Sequence, residues 1–360
     1  MSADSRSRAA VIDLDDVDGL IDADRDGLLR AASMAGAQMR ATAAALDEGV
    51  FEPLRSGQPP RTVIWVAGHG AAEAAGSILV AALGGSTVAP IVVAPEVPPW
   101  IGALDVLVVA GDDPADPALV AAAATGVRRG ARVLVVAPEE GPLRDVAAGR
   151  AVLLAPRLRV SDEFGLARYL AAGLVALHVV DPGVEVDVAA LADELDAEAL
   201  RNSVGREIFT NPAKTLADRL SDGTIVLAGH SAATLALARH VSAVLLRVAH
   251  LPIAAVGLAD VMVVLHGALS GGADYETSLF HDDEIDGPLP ARVRTIVLTT
   301  DQDRPGIMAR LVGFDDATTI SAEDIGDVAA PPPSGRIEQQ LAMLAVRLEM
   351  AAAYLRLVRG

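Results

Sequence analysis

An apolar run that ends in glycine–histidine and opens into an alanine-rich segment occurs twice. Thr62-Val63-Ile64-Trp65-Val66-Ala67-Gly68-His69-Gly70-Ala71-Ala72 returns as Thr224-Ile225-Val226-Leu227-Ala228-Gly229-His230-Ser231-Ala232-Ala233, and 229 − 68 sets the two glycines 161 residues apart. A run of this kind is a strand buried on both faces, the habit of parallel sheets, and the small residues after it open a helix. Two copies at that spacing predict two similar α/β units rather than one large sheet. Ligands are then expected at the turns after the strands, because open α/β sheets bind at the carboxyl ends of their strands.

The chain of 360 residues is long enough for two domains with ample cores. It is 52% hydrophobic with only 3% aromatics, so Ala, Val and Leu must build the interior. The absence of cysteine excludes disulfides, thiolate catalysis and Cys-based zinc sites. A net charge of −19 argues against nucleic acid, whose phosphates demand clustered cations. Met1 to Arg8 lacks the apolar core of a signal peptide, and no apolar run approaches the ~20 residues of a membrane span. A cytoplasmic protein is expected. Lys214 is the only lysine, the other cations being arginine, which reads as a compositional bias.

Residues 1–60 are expected to form an N-terminal helical arm, with Asp22, Asp24 and Asp26 as candidate caps. Asp22 to Gly27 imitates the start of a calcium loop, yet position twelve would be Ser33 where a bidentate Glu belongs, which leaves capping. Residues 61–180 alternate strands (62–67, 89–94, 104–110, 132–137 and 151–154) with helices such as 71–83 and 117–128, a doubly wound parallel sheet. Helices around 163–177 and 188–200 lead through a connection, 181–210, into a second unit, 211–360. That unit opens on Asn211 as cap and Pro212 in the first turn. Its strands are expected at 224–228, 252–256, 260–265 and 293–299. The run 330–335, rich in proline, reads as a stiff linker. Beyond it Ile337, Leu341, Leu344, Leu348, Ala352 and Leu355 stripe a long amphipathic helix.

With these pieces in place the chain resembles the sugar isomerase (SIS) fold. More narrowly it is similar to bacterial and archaeal bifunctional phosphoglucose/phosphomannose isomerases, in a divergent actinobacterial-type branch. The resemblance is carried by Gly68-His69-Gly70-Ala71-Ala72, Val97-Pro98-Pro99-Trp100-Ile101-Gly102, Ala155-Pro156-Arg157, Asn211-Pro212-Ala213-Lys214-Thr215-Leu216-Ala217 and Glu284-Ile285-Asp286-Gly287, in the expected order. It implies two tandem SIS-type units and a carboxylate that moves a proton between C1 and C2 of glucose 6-phosphate or mannose 6-phosphate through an enediol. The phosphate would be held by hydroxyls and backbone N–H groups at strand-to-helix turns. No cofactor and no metal is expected. A homodimer is expected, because family sites draw on two subunits and the last helix carries its apolar stripe.

Set against that pattern, the chemistry is thinned. Ala71 and Ala72 stand where the family offers serine, and Gly111-Asp112-Asp113-Pro114-Ala115-Asp116 stands in place of a Ser/Thr-rich phosphate loop. Each carboxylate would repel a phosphate ~8 Å away by about 2 kcal/mol at an effective dielectric of 20; capping of the next helix is their other reading. Laying the family's base-bearing stretch without gaps over 246–252 puts Arg247, which cannot abstract a proton, at the base. His281-Asp282-Asp283-Glu284-Ile285 keeps the glutamate of the His-Asn-Glu-Ile motif and shifts the histidine by one. Glu284 and His281 are therefore the catalytic candidates, the latter for ring opening. The family's C-terminal lysine has no counterpart. Candidate substrate-binding residues are Gly68, His69, Gly70, Arg157, His230 and Ser231, with unit two richer in hydroxyls.

Three readings compete. One is an active aldose–ketose isomerase, and another is a degenerate member that binds a sugar phosphate, a related carbohydrate derivative or a partner. The third, a dinucleotide enzyme suggested by Gly68-x-Gly70, is discounted. Glu73 occupies the third small position, and Glu96, 26 residues past Gly70, lies between Pro95 and Pro98. The missing hydroxyls, base and lysine favour the degenerate member, although fold alone never fixes activity.

Overall fold

A computed structural model describes residues 12–221, 223–270, 293–323 and 335–360. Two all-parallel sheets organise the chain. The first contains β1 (Val63–Ala67), β2 (Ile91–Ala94), β3 (Val106–Ala110), β4 (Arg132–Val136) and β5 (Val152–Leu153) in the order β2-β1-β3-β4-β5. The second contains β6 (Thr224–Gly229), β7 (Ala254–Gly257), β8 (Val293–Leu298) and β9 (Ala317–Ile320) in the order β7-β6-β8-β9. The repeat seen in the sequence is thus a repeat of topology, with β1 and β6 in equivalent places.

The helices follow the apolar pattern. The arm holds α1 (Val17–Ala23), α2 (Leu28–Ala32) and α3 (Ala35–Asp47). Asp24 accepts hydrogen bonds from the N–H groups of Leu28 at 2.6 Å and Leu29 at 3.1 Å, so the acidic run caps a helix. In the first unit come α4 (Ala71–Leu83), α5 (Pro117–Arg128), α6 (Gly141–Ala147), α7 (Leu166–Val180) and α8 (Val188–Arg201). The second holds α9 (Pro212–Ser221), α10 (Ala232–Ala249), α11 (Leu258–Ser270), α12 (Arg304–Arg310) and α13 (Ile337–Arg359). Asn211 caps α9 by accepting from the Lys214 N–H at 3.0 Å.

Alternate residues of each strand face different layers. Trp65, Val108 and Leu134 join Leu227, Ile296 and Leu298 in one large core with α4, α7, α10 and α13. Ile64, Leu107 and Val135 face α5 and α6, and Ala228 and Val297 face α11 and α12. Trp65 fits because two helices present glycine to it. A Cβ on Gly76 would lie 2.4 Å from Trp65 Cδ1, and one on Gly173 would lie 3.0 Å from Trp65 Cζ3. Its indole N–H donates to the Ala72 carbonyl at 3.0 Å.

Three expectations change. The segment 260–265 is not a strand but part of α11, with Leu258, Val261 and Leu265 against the sheet at helical spacing. Strand β9 was not foreseen in the sequence. And α13 does not offer its stripe to a second copy: it packs on α8, α9 and α10, and its Arg347, Glu349 and Tyr354 are as buried as its leucines. Arg347, 1% exposed, donates to Glu198 Oε1 at 2.7 Å and to the carbonyls of Ser321 and Ala322 at 2.8 and 3.0 Å. Among the described residues one helix, α10, is long and apolar enough to cross a membrane, but it is the core helix between α4, α13 and β6, with 56% of that window buried. Residues 330–334 of the proline linker, and the candidates His281 and Glu284, lie outside the described residues.

Candidate functional site

The strand order leaves a crevice between β1 and β3 in one sheet and between β6 and β8 in the other, where the chain leaves neighbouring strands toward opposite sides. In unit one the walls are Gly68-His69-Gly70 and Gly111-Asp112-Asp113. These turns press together: the Gly68 N–H donates to the Ala110 carbonyl at 2.8 Å, and a Cβ on Gly111 would lie 2.5 Å from Leu119 Cδ1. Gly70, at φ 77°, turns the chain into α4 in a conformation reserved for glycine. No side chain caps α4 there. Its first N–H groups and the positive end of its dipole therefore face the crevice.

A cation reaches the same turn from the other unit. Arg247, in the last turn of α10, lies so close that a Cβ on Gly70 would sit 2.9 Å from its Nη1. Arg247 makes no ion pair among the described residues. The aspartates are already engaged. Asp112 is ion-paired with Arg168 and accepts from the Tyr169 hydroxyl at 2.7 Å, with the Arg168 guanidinium 4.4 Å from the Tyr169 ring centroid. Asp113 accepts from the Ala115 N–H and Asp116 from the Ala118 N–H, both at 2.8 Å. Capping and pairing, rather than open negative charge, occupy this loop. Arg168 Nε is buried with no acceptor among the described residues. Nearby, burial first, and then the charges of Asp112 and Glu163, push the Asp162 carboxyl above the usual range, with Arg168 and Arg247 opposing.

Unit two is closed on itself. His230 Nε2 lies 2.8 Å from Asp303 Oδ2 and Nδ1 lies 3.2 Å from the Leu298 carbonyl, so both ring nitrogens are occupied. The Thr300 hydroxyl donates to the same Asp303 oxygen at 2.7 Å. Thr300 and His230 together hold Asp303 below the usual carboxylate range. Ser231 and Thr234 form a capping box on α10. Ser231, one of the hydroxyls that made unit two the better anion candidate, thus serves its own helix.

The structure brings together Gly68, His69 and Gly70, with His69 exposed at the crevice. It does not bring His69 and His230 together: Ser231 and Arg247 mark opposite ends of α10, roughly 24 Å apart at 1.5 Å per residue. Arg157, after the edge strand β5, is ion-paired at the surface with Glu48. Arg168, Tyr169 and Asp162 were not singled out in the sequence, and nothing local marks them. Arg247 was singled out by alignment, but its approach to Gly70 is a contact between units. Among the described residues no cluster of three His, Asp or Glu side chains is placed to hold a metal.

No protein-family model matches the chain, and no curated protein matches it significantly in sequence. Solved structures do match in fold. A Clostridium difficile protein that carries the name of a phosphosugar isomerase superposes with a TM-score of 0.64 at 12% identity, over 92% of this chain and 93% of that one. The C-terminal domain of glucosamine-fructose-6-phosphate aminotransferase from Francisella tularensis gives 0.58 at 12% identity, over 93% and 98%. Tagatose-6-phosphate ketose/aldose isomerase from Escherichia coli gives 0.57 at 16% identity, over 95% and 94%. The chain has the tandem two-unit SIS fold of these proteins.

Proposed function

We propose that this chain is a sugar-phosphate-isomerase-like SIS protein that binds a sugar phosphate, of the glucose 6-phosphate or mannose 6-phosphate class or a related carbohydrate derivative, without turning it over. One observation carries the reading: at the β1–β3 crevice the uncapped start of α4 faces Arg247, which makes no ion pair among the described residues, so that a cation and free N–H groups form an anion seat. Gly68, His69 and Gly70 form its floor, and the Arg168 Nε–H supplies a buried donor beside it. His230 and Ser231 remain substrate candidates only if Asp303 and the capping box release them, and Arg157 only if Glu48 does. The names of the structural relatives, which speak of a phosphosugar, fructose 6-phosphate and tagatose 6-phosphate, agree with the substrate class. A cytoplasmic homodimer goes with the reading, and light scattering that gives a monomer would count against the dimer.

A thermal-shift titration with fructose 6-phosphate, glucose 6-phosphate and mannose 6-phosphate tests the reading. Binding is expected to raise the melting temperature, and Arg247→Ala is expected to weaken it about tenfold through loss of one charge-assisted contact. No shift with any of the three at millimolar concentration sinks it. The second reading, an active aldose–ketose isomerase, has one observation in its favour: the raised Asp162 carboxyl near the crevice is the kind of group that transfers protons. Turnover of fructose 6-phosphate in a coupled assay, abolished by Glu284→Gln or Asp162→Asn, would establish it in place of the first.

A further inference from the structure

A cavity of about 690 Å³ lies between α9 and β9 and shares no lining residue with the β1–β3 crevice. One wall is the face of α9 carrying Pro212, Thr215 and Arg219; the other is strand β9 with Met308 and Val312 from α12 and the turn after it. Among the described residues five arginines line it (Arg201, Arg206, Arg219, Arg304 and Arg347), and no aspartate or glutamate does. In a chain with 48 acidic and 29 basic residues this is a marked local reversal of charge. Arg201 and Arg347 are balanced by the buried Glu198. Arg206 and Arg219 are different: neither side chain has a hydrogen-bonding or ionic partner among the described residues.

The cavity also has an apolar mouth. Phe209 is 93% exposed, Val312 79% and Met308 50%, large side chains that water does not favour at a surface. The hydroxyls of Thr318 and Thr319 have no partner among the described residues. We propose that this cavity is a binding site for an organic phosphate, with Arg206 and Arg219 on the phosphate, Phe209 and Val312 against an apolar or planar face of its body, and Thr318 and Thr319 on its polar edge. The volume lies within the range of small-molecule pockets, and a few converging polar groups in an apolar surround are their usual composition. Guanidinium forks match phosphate oxygens two at a time. An acidic peptide pairing along the outer edge of β9 is the other occupant of this chemistry. That strand offers only Ala317–Ile320, too short an edge to hold an added strand well.

The site is independent of the β1–β3 crevice, and calorimetry on the full chain separates the two. The probes are AMP, fructose 6-phosphate, inorganic phosphate and a poly-glutamate peptide. AMP is expected to bind the wild type and the Arg247→Ala variant alike, whereas fructose 6-phosphate serves as the control whose binding at the crevice Arg247→Ala weakens. The double variant Arg206→Ala/Arg219→Ala should bind at least about tenfold more weakly with an unchanged melting temperature in the absence of ligand. Should that variant be less stable, Val312→Asp, which adds a charge at the exposed mouth and touches no arginine, should weaken binding about fivefold. Inorganic phosphate should bind more weakly than the organic phosphates. The proposal fails if AMP does not bind at millimolar concentration, or if AMP binding survives both sets of variants. It also fails if Arg247→Ala alone removes AMP binding, or if the peptide binds better than AMP.

Discussion

Lys214 shows how much a single side chain can hide. It stands in the segment that best matches the isomerase pattern, and it is fully buried. Its ammonium donates to the carbonyls of Val204 at 2.9 Å and Arg206 at 2.7 Å and lies 5.7 Å from the Tyr354 ring centroid. Burial pushes this group below the usual lysine range, with Asp15 and Asp13 opposing. Its work is to tie the loop before α9 to the core. Lys214→Met keeps the volume but strands two carbonyls, so it should cost about 2–4 kcal/mol in urea unfolding; a loss under about 0.5 kcal/mol, the size of an ordinary surface change, would refute this role. The sequence marked Lys214 as unusual, but its acceptors, eight and ten residues back, had no signature.

Secondary elements were readable where burial is uniform and opaque where it is not. β1, β3, β4 and β6 are apolar runs largely buried on both faces, which is why their composition announced all four and the repeat announced β1 and β6. α11 misled because Val261, Val263 and Val264 suggest a strand, although only Leu258, Val261 and Leu265 pack inward. β9, Ala317-Thr318-Thr319-Ile320, is a short edge whose polar residues carry no pattern. The crevice was placed by the glycines, but the arginine that completes it comes from the other unit. Helix packing around Trp65 is tested by Gly76→Val. The new side chain begins 2.4 Å from a rigid ring, and overpacking of this kind costs about 1–3 kcal/mol. Urea unfolding should shift to that extent and the fluorescence of Trp65 should change; wild-type values for both would mean that the ring is not held as described.

Across the whole molecule, Glu198 is the joint. It lies on α8 with no exposed surface and receives Arg347 from α13, Arg201 from its own helix and Asn202 Nδ2 at 2.7 Å. Burial alone would raise its carboxyl, but Arg347 and Arg201 hold it below the usual range. A carboxylate depressed on folding contributes stability that is present above the unfolded value of about 4.3 and lost as pH falls through the folded one. Glu198→Gln should therefore lower stability at neutral pH by about 3–5 kcal/mol, since it leaves Arg347 buried without its partner. It should also flatten the acid limb below about pH 4. Unfolding profiles of the two proteins between neutral and acid pH decide the matter, and parallel curves would contradict it. None of this was visible in the stripe of α13, because the stripe records apolar spacing while the partners of its charged residues lie up to 149 positions away.

One last consequence belongs to the lone lysine. Among side chains, the native molecule presents no primary amine to its surroundings, so acylating reagents, crosslinkers and lysine-modifying enzymes have nothing to grasp there until the fold opens. A tag on that nitrogen is a record that a copy came apart.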